Sequence, residues 1–164
     1  MKKALSLFTT AVIMLSLFII PASVNAETKI TDLDNIGLSS GPTRVEYTPS
    51  LTDSFGNRYQ TSMIVDGGYS TSWVEYDVTQ FSSFSGTIAT PGLGVRSDFR
   101  QGVRIYVDDR LEFESREFLG NGSIRPQSFN VDVSSARKVR IEWPGIQSIS
   151  NIAATLYDGV FILD

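Results

Sequence analysis

The stretch Gly102-Val103-Arg104-Ile105-Tyr106-Val107-Asp108-Asp109-Arg110-Leu111-Glu112-Phe113-Glu114-Ser115 decides the fold. Val103, Ile105 and Val107 alternate with Arg104 and Tyr106; Leu111 and Phe113 alternate with Glu112 and Glu114. Successive side chains of a strand point to opposite faces, so strict alternation marks a half-buried strand. Two such runs across the short polar turn Asp108-Asp109 are a hairpin signal. One apolar and one polar face per strand is the mark of an antiparallel sheet with one wet side.

The same pattern recurs on both sides of this hairpin. Thr43–Tyr47 places Val45 and Tyr47 together, and Ser62–Val65 is a short strand ended by Asp66-Gly67-Gly68. In Ser72–Val78, the residues Val74, Tyr76 and Val78 lie opposite Trp73, Glu75 and Asp77. Phe84, Gly86 and Ile88 share a face, as do Phe129, Val131 and Val133. Val139, Ile141 and Trp143 alternate with Lys138, Arg140 and Glu142, and a last run spans Asn151–Ile162. No long amphipathic helix interrupts them. Many short strands separated by turn residues predict an all-β protein, an antiparallel β-sandwich or barrel.

The first 26 residues read differently. Lys2 and Lys3 precede an uncharged stretch from Ala4 to Ala26, Pro21 breaks it, and Val24-Asn25-Ala26 offers a small-x-small exit. That is the layout of a secretory signal peptide. The alternative, a membrane anchor, needs about 20 apolar residues, and no basic flank follows before Lys29. We therefore expect residues 1–26 to be a signal peptide, 27–42 a lead-in with at most a short strand or turn, and 43–164 one sandwich domain. Of 164 residues the mature chain would keep 138 (164 − 26), with net charge 12 − 18 = −6 after loss of Lys2 and Lys3. The expected location is extracellular, free or cell-wall associated, with no membrane span after cleavage. The expected state is a monomer.

Composition narrows the chemistry. The chain has no Cys and no His. Disulfides, thiolate nucleophiles and Ser-His-Asp devices are therefore unavailable. A formal charge of −4 argues against nucleic acid, which calls for a basic stripe. Glu112 with Glu114 and Glu75 with Asp77 are paired carboxylates, but i and i+2 neighbours on one strand do not flank a glycosidic bond. We expect no enzyme. Asp66, Asp77, Asp108 and Asp109 offer oxygens of the kind Ca²⁺ takes, yet no Asp-x-Asp-x-Asp-Gly loop is present. No cofactor is expected, a structural Ca²⁺ being the alternative. Arg96, Arg100, Arg104 and Arg110, interleaved with Asp98, Asp108 and Asp109, read as a mixed-sign wet surface.

Three segments carry a family resemblance. Gly68-Tyr69-Ser70-Thr71-Ser72-Trp73-Val74-Glu75-Tyr76-Asp77-Val78, followed by Phe81 and Phe84-Ser85-Gly86-Thr87-Ile88, resembles the NPCBM family of carbohydrate-binding modules. Gly102–Ser115 resembles that family's hairpin, and Phe129–Ile141 its following strand pair. The resemblance covers residues 43–162. It implies a jelly-roll, galactose-binding-like β-sandwich and a carbohydrate ligand. The chain departs from the family pattern where members often carry a His: Tyr69-Ser70 stands at the first position and Ser150–Leu156 near the last strand. Site residues are not carried over there.

The residues themselves suggest a site. Sugars present C–H faces on which flat rings stack, and hydroxyls that need hydrogen-bond partners. Trp73 shares the polar face of its strand with Glu75, while Arg104 and Tyr106 share that of theirs. Tyr69 lies in a Gly-Gly-Tyr-Ser loop, and loops at the end of a sandwich often hold ligands. The expected carbohydrate-binding set is Trp73, Tyr69, Tyr106, Arg104 and Glu75. Trp73 supplies the stacking plane, Arg104 and Glu75 hydrogen bonds, and Tyr106 a wider platform. The opposing expectation is that loops or the lead-in cover these rings. Trp143, inward with Val139 and Ile141, is expected in the core. Function is thus expected to be non-catalytic binding of a cell-wall or extracellular polysaccharide. The alternative is a cell-surface structural or protein-interaction sandwich without a sugar site.

Overall fold

The structure, a computed structural model, describes residues 26–38, 43–67, 71–92, 100–145 and 153–163. The expected signal peptide, apart from Ala26, and Tyr69 lie outside the described residues.

Two antiparallel sheets form the body. The first contains β11 (Gln127–Asp132), β6 (Phe81–Ala89), β13 (Thr155–Leu163), β4 (Thr61–Gly67) and β3 (Thr43–Pro49), in that order. β1 (Glu27–Lys29) also pairs with β13. The second contains β2 (Asn35–Leu38), β5 (Ser72–Asp77), β12 (Lys138–Trp143), β8 (Arg104–Val107) and β9 (Arg110–Glu114). A small ribbon joins β7 (Arg100–Gln101) to β10 (Phe118–Leu119). This is the all-β antiparallel sandwich that the alternation predicted.

The lead-in is a correction. Residues 27–38 hold two strands and a 3-10 turn at Ile30–Asp32, more than the short strand or turn expected. The polar, Gly- and Ser-containing sequence hid them because edge strands need little apolar surface. Ile30 is nonetheless fully buried, and Gly159 of β13 gives it room: a Cβ there would stand 3.0 Å from its Cγ2.

The inward rows of the two sheets make the core. Val74, Tyr76, Ile105, Val139, Ile141 and Trp143 from the second sheet meet Phe84, Ile88, Leu156 and Phe161 from the first. Phe161 is its aromatic hub, stacked on Phe84 at 4.3 Å between centroids and contacting Phe81 at 5.1 Å and Tyr76 at 6.3 Å. The Tyr47 and Tyr76 hydroxyls meet at 2.6 Å, which satisfies a polar tip inside the sandwich. Burial, against that hydrogen bond, raises the Tyr47 phenol above its ordinary pKa. Trp143 is fully buried, as expected, and its indole N–H donates to the Ala154 carbonyl at 3.2 Å. Among the described residues no helix is long and apolar enough to cross a membrane.

The excursion between β3 and β4 is organised by one carboxylate. Asp53 is only 2% exposed. One oxygen accepts the N–H of Phe55 at 2.8 Å and of Asn57 at 2.9 Å; the other accepts Asn57 Nδ2 at 2.9 Å and the Tyr59 hydroxyl at 2.8 Å. Tyr59 then stacks on Tyr157 of β13 at 4.3 Å. Burial alone would push the Asp53 carboxyl up, but these donors together hold it below its usual range. Its stabilising effect is therefore full above the unfolded-state value, about 3.9, and is lost as pH falls through the lower folded-state value.

Two outcomes follow from this packing. Asp53→Ala removes the acceptor of two backbone N–H groups and of the part-buried Tyr59 hydroxyl, and should cost on the order of 2–4 kcal/mol in a denaturant titration. It should also flatten the loss of melting temperature between about pH 4 and pH 2. Trp143→Ala should cost about 3–5 kcal/mol by the same titration.

Candidate functional site

β12 runs down the middle of the second sheet. Its inward residues are core, so Lys138, Arg140 and Glu142 project from the outer face. Pairing fixes what lies beside them. Glu142 stands opposite Trp73 of β5 and Arg104 of β8, and Arg104 stands opposite Glu114 of β9. Arg140 stands opposite Glu75 and Tyr106, and Tyr106 opposite Leu111. Lys138 stands opposite Asp77. The structure thus brings Trp73, Glu75, Arg104 and Tyr106 together on one face. It does so through β12, whose outward residues were not in the expected set.

Charges on this face are interlocked. The Arg104 Nε donates to Glu114 at 2.7 Å, and its guanidinium lies 3.6 Å from Glu142. Lys138 Nζ donates to Glu75 at 3.2 Å and lies 3.1 Å from Asp109; Arg140 lies 3.9 Å from Glu75 and 3.6 Å from Asp109. Hydrogen bonds to Asp109 and then Glu75 hold the Lys138 ammonium above its usual pKa. Glu75 and Glu142 sit deepest, at 15% and 14% side-chain exposure, beneath cations that are more open. Arg140 Nε is buried with no hydrogen-bond partner.

The rings are less free than the alternation suggested. The Arg140 guanidinium lies 4.5 Å from the Tyr106 ring centroid, a cation–π contact that occupies one ring face. The Tyr106 hydroxyl reaches Glu142 at 3.5 Å. Trp73 is half-buried, not fully solvent-facing. The lead-in strand β2 is responsible: a Cβ on Gly37 would stand 3.2 Å from Trp73 Cζ3 and 3.2 Å from Glu75 Oε2. Glycine at 37 is thus a matter of close approach, with no special backbone angle required. β2 flanks the Trp73 ring and leaves the rest of its surface on the outer face.

What the arrangement can do is bind. It offers an indole, guanidinium and ammonium donors, and carboxylate acceptors on the outer face of one sheet. Among the described residues no group of three or more metal-ligating side chains is assembled. Tyr69 lies outside the described residues, so its relation to this face is not part of the geometry. Alternation already placed Lys138, Arg140 and Glu142 on a wet face; what sequence reasoning lacked was the pairing of β12 with both β5 and β8.

Two substitutions test this account of the face. Trp73→Ala should cost about 1–2 kcal/mol of stability, between an exposed and a core ring, as read by urea unfolding. Gly37→Val should displace the indole and change Trp73 fluorescence, measured in a Trp143→Phe background.

No protein-family model and no curated protein matches the chain. Solved structures do. The CBM51 module of a Clostridium perfringens GH95, in complex with methyl-galactose, is 13% identical at a TM-score of 0.65, covering 83% of this chain and 99% of that one. The tandem CBM51 modules of Sp3GH98 from Streptococcus pneumoniae SP3-BS71 are 18% identical at 0.68, covering 85% of this chain and 48% of that one. CBM51-2 of C. perfringens ZmpB, in complex with GlcNAc, is 17% identical at 0.66, covering 84% and 32%. This chain therefore spans between about a seventh and a half of the multidomain structures that it matches. Its fold is the antiparallel β-sandwich of those modules.

Proposed function

We propose that the protein is a secreted, non-catalytic carbohydrate-binding module whose ligand is a cell-wall or extracellular polysaccharide. The convergence of Trp73, Glu75, Arg104 and Tyr106 with Arg140 and Glu142 on one exposed sheet face carries this reading. An indole stacks on a sugar's C–H face while fixed charged groups meet its hydroxyls, the combination that small polar ligands require. The fold shared with carbohydrate-binding modules supports it, and the motif resemblance supports membership of the NPCBM family. The same face gives no reason to expect hydrolysis: its deep carboxylates are held by cations instead of being poised across a cleft.

Export follows from the N-terminal layout. β1 starts at Glu27, so cleavage after Ala26 removes no residue of either sheet. Mass spectrometry of protein from the culture medium should give an N-terminus at Glu27; retention of residues 1–26 would overturn the export reading.

Binding is tested with a glycan array and a pull-down on purified cell-wall polymers. Wild-type protein should be retained by at least one glycan. Trp73→Ala, folded by circular dichroism, should bind it about tenfold more weakly or worse, since about 1.4 kcal/mol is one decade and ring removal at a hot spot commonly costs more. Unchanged binding by folded Trp73→Ala would place the ligand elsewhere.

A further inference from the structure

Beyond Lys138 the outer face does not end. It opens into a depression of about 820 Å³ lined by Ile36, Asp77, Thr79, Asp109, Arg137 and Lys138. Ile36, on edge strand β2, is 58% exposed, the most exposed large apolar residue described. It is an odd residue to leave in water on an edge strand. It lies in the β2 bulge between the partners of Tyr76 and Glu75, towards the end of the face where Asp77 stands and more than one strand row from Trp73, each row being about 7 Å. Thr79 donates its N–H and hydroxyl to Asp77 at 2.9 and 2.8 Å, which holds that carboxyl below its usual range and keeps it an acceptor.

Resting on the carbohydrate-binding reading, we propose that the ligand is an uncharged polysaccharide bound along its length. It crosses the face from Trp73, passes over Glu75 and Arg140, and enters the depression where Ile36 packs against a second sugar ring. Three observations carry this. The depression at the Ile36 end is open to solvent, unlike an enclosed pocket that would cap a chain end. The surface from Trp73 to Ile36 has apolar contact at both extremities, with acceptors and donors between. Its charge is balanced or slightly negative: Asp77, Asp108 and Asp109 face Arg137 and Lys138 in the depression, and the cations of the sheet already hold carboxylates. An anionic chain would have to displace those carboxylates and meet the remaining acidic groups.

The experiment is affinity electrophoresis of the mature chain in gels containing neutral galactan, xylan or mixed-linkage β-glucan, or acidic polygalacturonate or alginate. Methyl-galactoside and GlcNAc serve as competitors. We expect retardation in a neutral gel, none in the acidic gels, and no relief at millimolar monosaccharide. We also expect about fivefold weaker retardation for Ile36→Ser, an exposed site whose melting should not change. Retardation that Trp73→Ala abolishes, but that Ile36→Ser leaves intact or a monosaccharide relieves, would overturn this inference while the carbohydrate-binding reading stands. Stronger retardation by the acidic polymers would overturn the charge assignment. No retardation in any gel, together with no retention on the array or the cell-wall polymers, would remove both.

Discussion

Everything on the candidate face depends on the burial of one side of β12. Val139, Ile141 and Trp143 are fully enclosed, and a slip of one residue would turn all three to solvent and drive Lys138, Arg140 and Glu142 into the core. Burying charges at that depth is prohibitive without partners. The register of the central strand is thereby fixed from within, and the outer residues inherit it. Glu142 lies between Trp73 and Arg104 because Ile141 lies between Val74 and Ile105.

This coupling makes the face rigid in a way its surface ion pairs alone would not. Exposed salt bridges contribute little individually and are screened by salt. Here the backbone sets the spacing, and the charges settle into it. Glu142 receives Arg104 and Tyr106 from β8, with Arg140 of its own strand 4.0 Å away, so it acts as a common anchor for groups that a ligand would meet. The absence of Cys and His fits such a surface, since stacking and hydrogen bonding need neither.

The strands were legible because their alternation is local. Val103 to Glu114 reads as a hairpin from spacing alone, and β8 and β9 pair as expected, with a bulge between Ile105 and Tyr106. Trp143 was legible as core by parity. The partners of the candidate site were not, because the pairing of β12 with β5 and β8 joins residues far apart in the chain. Nor did composition decide whether the lead-in would flank Trp73: Asn35, Gly37 and their neighbours read as at most a short strand or turn until the pairing with β5 is known. The Arg140 guanidinium over Tyr106 is likewise a product of pairing, invisible to either strand read alone.

The pairing of Glu27 with Ile162 places both ends of the described chain side by side on the first sheet. A neighbouring domain joined at either end would depart from nearly the same point, leaving the second sheet's outer face pointing elsewhere. Such a module can be spliced into a larger architecture, or its ends joined and its chain reopened at a surface turn, without crossing the face. The geometry behaves like a plug with both leads on one side, its working surface left to the surroundings.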